Sequence, residues 1–302
     1  MKPKIAIIGA GNVGSHILAS AVLKNIPADF LLIDRNEQFE KAQVLDIKDI
    51  LLFSPHSHVK CSDFGAEELQ DVDIFVITAG ANQKPGETRC QLLGKNISIL
   101  QSVKNQIGKI KPEALVILVT NPVDILTQAA VGIFNLPKKQ VFGTGTLLDS
   151  ARLKWRLAEK LERNILDVQG LVMGEHGDSE FIVWSGVTEK ERFSEPERLE
   201  ISESVKREAY DIIEGKGSTF FGIGASATEL LENIVNDTQK ILPLSCPLSG
   251  EYGIYDISIG VPAKIGRTGI QKIYEIPLGA DEYKKLILSS EKLKKLFTEC
   301  ER

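Results

Sequence analysis

The stretch "IAIIGAGNVGSHIL", residues 5–18, decides the fold. Four apolar residues run straight into glycines, and an amphipathic segment follows. A strand, a tight turn and the head of a helix are packed into fourteen positions. Gly9, Gly11 and Gly14 form a GxGxxG pattern at that turn. In a dinucleotide fold the first glycine permits the sharp turn, the second lets the backbone approach a pyrophosphate, and the third lets helix and sheet pack closely. The helix N-terminus then offers free N–H groups and the positive end of its dipole to the phosphates. Asp34 lies 20 residues beyond Gly14, at the end of the next apolar run. A carboxylate there suits a ribose 2′-hydroxyl and repels a 2′-phosphate, which selects NAD over NADP. Arg35 beside it is the one feature that favours a 2′-phosphate.

Working outward, "KIAIIG", "FLLID", "DIFVITAG" and "LVILVTN" are short and evenly apolar, as strands buried on both faces are. Between them "SHILASAVLKN", "NEQFEKAQVLDIKDILL" and "LGKNISILQSVKNQIGKI" repeat apolar residues at three and four. This alternation predicts a Rossmann-type, doubly wound parallel α/β sheet. After about residue 143 the rhythm changes. "GTLLDSARLKWRLAEKL" reads as a helix and "VQGLVMGEHGDSEFIVWS" as strand, loop, strand. A long helix from Glu200 is interrupted near "GKGST". Strand-like runs and a basic amphipathic helix, "DEYKKLILSSEKLKKLF", follow. The expected division is residues 1–143 for dinucleotide binding and 144–302 for an α+β substrate domain.

The net charge of −5 carries no basic stripe, so nucleic acid is not an expected partner. No apolar run is long enough to span a bilayer, and "MKPKIAIIGAG" is not a signal peptide, so a cytoplasmic location is expected. Cys61, Cys90, Cys246 and Cys300 show no metal or disulfide spacing and read as reduced thiols. His56 and His58 fall in a loop-like stretch, His16 on a helix surface, and no metal site is expected.

Candidate chemistry gathers elsewhere. "MGEHGDSE" sets His176 in a segment bounded by Gly174 and Gly177, which let backbone and substrate approach. In "LLDSAR", Asp149 and Arg152 share one helix face. An ordinary surface ion pair there would be worth little. Pointed into a cleft, Asp149 would orient His176, and Arg152 would clamp a carboxylate with its planar fork. "GANQKPGETR", residues 80–89, is a polar loop placed directly after a buried strand.

Six segments in order, "GAGNVGS", "ITAGANQKPGETR", "VTNPVDILT", "GTGTLLDSAR", "GEHGDSE" and "KGSTFFGIG", resemble the L-lactate/malate dehydrogenase family over nearly the whole chain. Within it the bacterial lactate branch is the most similar. The resemblance implies roles. His176 exchanges the proton, Asp149 orients it, and Arg89 polarises the substrate carbonyl when the loop closes. Arg152 binds the substrate carboxylate, with Asn121, Thr219 and Gln83 lining the substrate site. Gly9, Gly11, Val13, Gly14, Asp34, Gly80, Ala81, Ser102, Val119, Thr120, Asn121 and Thr144 contact NAD. A homotetramer is implied, with pyruvate and L-lactate as substrates. The malate and bulkier L-2-hydroxy acid branches remain open, as does a non-catalytic dinucleotide-binding regulator. The chain departs from the family pattern in a shortened stretch before "EGKGST". It also carries Lys154 and Gln169 where many bacterial relatives place an arginine and a histidine for fructose 1,6-bisphosphate.

Overall fold

A computed structural model describes residues 2–81, 86 and 88–300, without the side chains of Arg89 and Cys300. Strand β1 (Lys4–Ile8) leads into helix α1 (Asn12–Leu23), then β2 (Asp29–Ile33), α2 (Glu37–Lys48), β3 (His58–Cys61) and β4 (Ile74–Ile77). Helix α3 (Arg89–Ile107), β5 (Leu115–Leu118), α4 (Val123–Phe134) and β6 (Val141–Gly143) complete the first half. These strands lie in the order β3-β2-β1-β4-β5-β6, and every neighbouring pair is parallel. β4 and β5 are buried at every position, and β1 and β2 at all but the first, which is why they read as unbroken apolar runs.

β3 differs from the loop expected around His56 and His58. As an outer strand it buries only Val59 fully, so no apolar run marks it. Its His58 Nδ1 bonds the Asp29 carboxylate at 2.9 Å. The expectation of four reduced thiols also needs correction. Cys90 is disulfide-bonded, while Cys61 and Cys246 are free. Disulfide pairing depends on which Cβ atoms the fold brings within reach, and chain spacing does not report that.

The second half opens with α5 (Leu147–Leu161) and the short antiparallel hairpin β7 (Val172–Met173) and β8 (Phe181–Ile182). Helix α6 (Glu195–Lys216) starts five residues earlier than expected, on a capping box between Ser194 and Glu197. It ends at Gly217 (φ 84°), and α7 (Phe221–Val235) begins after a four-residue break, where "GKGST" predicted one. Strands β9 (Ile241–Ser249), β10 (Tyr255–Gly266) and β11 (Gly269–Ile273) pair antiparallel, and α8 (Ala280–Cys300) closes the chain.

The two halves share one sheet. β9 joins β6 antiparallel through Gly143 and Ser245, so the described residues contain a single nine-stranded sheet. α1 packs on α7: the His16 ring meets Phe221 edge-on at 5.0 Å, and Thr228 bonds the Ile17 carbonyl. Of the two plain roles open to a histidine on a helix, surface or packing, His16 has the packing one. A second, smaller core lies between α5, α6 and the β7–β8 hairpin. No helix among the described residues is long and apolar enough to cross a membrane.

Candidate active site

The carboxyl ends of the parallel strands gather the predicted cofactor residues. Along the edge β2-β1-β4-β5-β6 stand Asp34, Gly9 to Gly11, Gly80 and Ala81, Val119 to Asn121, and Thr144, in that spatial order. The strand order reverses across β1 and β4, and ligands of open parallel sheets bind in that crevice. The glycines fit their assigned tasks. Gly9 has φ 111°, and a Cβ there would meet Thr78 Oγ1 at 2.7 Å. A Cβ on Gly14 would meet the Gly9 carbonyl at 1.9 Å, so helix and turn touch. Gly11 faces open space and gives α1 no side-chain cap, which leaves the first-turn N–H groups to an outside acceptor. The cradle fits a pyrophosphate.

Asp34 is oriented by the backbone. Its carboxylate accepts from Ala10 N at 2.8 Å and Asn36 N at 2.9 Å. Val13 is half-buried in the first turn of α1, and Val119 and Thr144 are buried behind the edge. Thr120 Oγ1 bonds the Ala79 carbonyl at 2.9 Å and ties β5 to the turn after β4. Ser102 is the outlier. It is exposed, more than three turns along α3, and its hydroxyl accepts from the Gln106 amide.

Asn96, on the inner face of α3, was not singled out by the sequence. It is buried, its Oδ1 accepts from Ala81 N at 2.7 Å, and its Nδ2 donates to the Asn121 carbonyl at 2.8 Å. One amide thereby fixes the ends of β4 and β5. Gln83 lies outside the described residues. At Thr88 a capping box with Gln91 starts α3 and sets Arg89 at its first position.

Three predicted residues of the second half meet in space. Thr146 Oγ1 donates to the Val172 carbonyl at 2.7 Å, and Val172 N donates to Ser150 Oγ at 3.0 Å. These bonds pin the β7–β8 hairpin to the head of α5. The hairpin loop, bounded by Gly174 (φ 100°) and Gly177 (φ 148°), then swings His176 over the first turn of α5. His176 Nδ1 lies 2.6 Å from Asp149 Oδ2, and its backbone N donates to Asp124 at 2.7 Å. Asp149 Oδ1 takes Arg152 Nη1 at 3.1 Å, and both side chains are almost fully buried. The pair is therefore no ordinary surface ion pair. Glu208 on α6 completes it by accepting from Arg152 Nε at 3.2 Å and Arg156 Nη1 at 2.5 Å. Thr219 is half-buried in the break between α6 and α7.

The charges reinforce one another. Burial opposes the imidazolium, but the Asp149 carboxylate beside it, with help from Glu180 and Asp124, pushes His176 up to about 9. That is well above the ordinary histidine value of 6.5. Asp149 shifts the other way: burial would raise it, yet His176 and Arg152 hold it below the usual carboxylate range. Asp124, fully desolvated, rises to about 6. A donor and acceptor of protons beside a buried arginine can bind an anionic carbonyl compound and move a proton to its oxygen.

Comparison with known proteins places this geometry. Residues 3–143 match the family model for the lactate/malate dehydrogenase NAD binding domain, and residues 146–302 match the model for its alpha/beta C-terminal domain. An L-lactate dehydrogenase of Lacticaseibacillus casei is 38% identical, over 98% of this chain and 94% of that one. One of Mesomycoplasma hyopneumoniae is 37% identical over 99% of both. The crystal structure of the minor L-lactate dehydrogenase of Enterococcus mundtii, in a ligand-bound form, superposes with a TM-score of 0.93. It is 32% identical, with 99% of this chain and 98% of that one covered.

Proposed function

The chain belongs to the lactate/malate dehydrogenase family, and from that membership we propose that it is an NAD-dependent L-lactate dehydrogenase. The reaction is reversible hydride transfer between NADH and pyruvate. The observation that carries the reading is the set His176–Asp149–Arg152, joined at 2.6 and 3.1 Å, with Asp149 and Arg152 buried and His176 half-buried above them. A non-catalytic regulator has no use for a proton-bearing imidazole locked to a buried arginine pair, so that alternative loses its support.

Gly9, Gly11 and Gly14 cradle the pyrophosphate. Asp34 receives the adenosine ribose, which makes NAD rather than NADP the cofactor. Val13, Gly80, Ala81, Val119, Thr120, Asn121 and Thr144 line the remaining length, and Ser102 is the outermost member. The cofactor supplies the hydride. Arg152 docks the substrate carboxylate, and Asp149 and Glu208 fix the plane of its guanidinium. Asn121 and Thr219 flank the substrate. His176 keeps Nδ1 on Asp149 and presents Nε2 to the carbonyl oxygen. It gives its proton there as charge develops, and takes it back from the lactate hydroxyl in reverse. Arg89 adds a second cation when the loop closes and water leaves. Catalysis proceeds in the cytoplasm, in a homotetramer, with residues 1–143 and 144–302 as its two domains.

Substrate choice falls to Gln83. A neutral residue facing the substrate side group imposes no cost on a methyl. A second carboxylate would be buried unpaired, at several kcal/mol. With NADH, kcat/KM for pyruvate should exceed that for oxaloacetate by at least ~100-fold. Pyruvate should also rank above 2-ketoisocaproate. A steady-state panel of the three acids is the test. Oxaloacetate or 2-ketoisocaproate in first place would reassign the enzyme to the malate or bulkier-acid branch. Gln83→Arg should move the ratio toward oxaloacetate.

A further inference from the structure

The mechanism above leaves one buried acid of the site without a task. Glu180 closes the same hairpin loop as His176, one residue before β8, and is 5% exposed. Its carboxylate lies within 4.8 Å of the ligating atoms of both Asp149 and His176. Asp149 already accepts from His176 Nδ1 and Arg152 Nη1, so the Glu180 carboxyl faces a carboxylate that is already engaged on both oxygens. Two buried carboxyl groups this close cannot both carry a charge without cost, so one of them keeps a proton. Two causes assign it to Glu180. Burial comes first and the Asp149 charge second, and together they push Glu180 up to about 8 against the cations of His176, Lys206 and Arg152.

The surrounding charges are accounted for. From α5 come Asp149 and Arg152. From α6 come Lys206, 3.8 Å from Glu203, and Glu208, which is engaged by Arg152 and Arg156. From α4 comes Asp124, behind the His176 amide. Glu175 of the loop is neutralised by Lys292 of α8 at 2.7 Å. Asp149, His176 and Glu180 are also metal-ligand types. A cation there, however, would have to displace Arg152 from Asp149 and break the Nδ1 bond.

We propose that Glu180 is a positioning residue that donates a hydrogen bond to Asp149 as a neutral acid, and that its ionisation opposes docking of the substrate carboxylate on Arg152. With Glu180 neutral, imidazolium, carboxylate and guanidinium sum to one positive charge, which matches a monocarboxylate. An ionised Glu180 cancels that charge and leaves a carboxylate repelling the incoming one. The inference deepens the reading of His176 and Arg152 given above and rests on it.

The test follows pyruvate kcat/KM with NADH from pH 6 to 10 for the wild type, Glu180→Gln and Glu180→Ala. The NADH dissociation constant serves as the check on folding. Two protons must be retained in the wild type, so its alkaline limb should steepen beyond tenfold per pH unit. Glu180→Gln should fall by no more than tenfold per unit. The imidazole pKa of His176, read by NMR, should be lower in Glu180→Gln, because the charge that raises it is gone. At pH 7 the Ala variant should fall below the Gln variant, which retains a donor.

A one-proton limb in the wild type overturns the proposal, and so does a Gln profile that superimposes on it. Equal losses for Ala and Gln overturn the donated hydrogen bond. A wild type that does not turn over pyruvate sinks the functional reading instead. The NMR comparison of His176 then still decides the role of Glu180. If Glu180→Gln fails to bind NADH, the slope of the wild type alone decides.

Discussion

His176 is held as an imidazolium by a carboxylate 2.6 Å from its Nδ1, and this sets two pH dependences of opposite sign. Pyruvate reduction needs the protonated ring, so it should persist to alkaline pH and fall as pH rises through the range near 9. Lactate oxidation needs the neutral ring and should rise over that window. Stability follows the first sign. A histidine whose folded pKa is raised contributes stability that is fully present below about 6.5 and lost as pH climbs through the folded value. Asp149→Asn removes the charge that does the raising. The alkaline limb of reduction should therefore move toward acid pH, and kcat should fall by at least ~100-fold as the imidazolium loses its partner. It also leaves buried Arg152 with Glu208 as its remaining anion, a loss smaller than the about 3–5 kcal/mol of a buried charge with no partner. Pre-steady-state NADH oxidation and urea unfolding read the two effects separately. An unmoved limb would show that Asp149 does not tune His176. His176→Asn is expected to abolish turnover while NADH binding survives, because no described contact of the ring reaches the dinucleotide edge. Intact turnover in that variant would end the proposed proton transfer.

At the scale of elements, α3 holds two strand ends together. It starts on a capping box at Thr88 and carries, two turns on, the amide of Asn96 that fixes Ala81 and Asn121. Asn96→Ala leaves the part-buried Ala81 N–H and the Asn121 carbonyl without their partner, which costs about 0.5–1.5 kcal/mol for each bond lost. KM for both NADH and pyruvate should rise together, since the ends of β4 and β5 border both ligands. An effect on stability with both KM values unchanged would make Asn96 a structural staple only. Asn96 also marks where sequence reading ran out. The glycines, Asp34, His176, Asp149 and Arg152 were legible because each sits at a fixed spacing from a strand or shares a helix face. Asn96 and Glu180 act through contacts that exist only once α3 lies against two strand ends and a hairpin is pinned to α5. β3 was missed for a local reason. An outer strand that buries one residue in four leaves no apolar run to find. The disulfide at Cys90 was missed for the same reason as Asn96.

At the scale of the whole molecule, the halves are joined by one sheet through Gly143 and Ser245 and by the packing of α1 on α7, with Lys24 reaching Glu229 and Glu232. Behind the catalytic helix, α5, the 169–171 segment, β9 and β10 enclose a cavity of about 430 Å³. Lys154 and Gln169 both line it, at the two positions where many bacterial relatives hold fructose 1,6-bisphosphate. Its remaining walls are Leu147, Leu171, Val183, Leu242 and similar apolar groups, and Lys154 is the one charged side chain among its described lining residues. A sugar bisphosphate carries roughly three to four negative charges near neutrality. One lysine gives a point charge without a bidentate fork, and a glutamine gives none. Most of the ligand charge would then be desolvated against apolar walls without a counter-ion, which is unfavourable by several kcal/mol. Millimolar fructose 1,6-bisphosphate should leave the pyruvate KM within about twofold of its value without effector, at a protein concentration where light scattering reports the same mass with and without it. A tenfold fall in KM, or a mass that increases only when the bisphosphate is added, would show that cations from a neighbouring subunit complete the site.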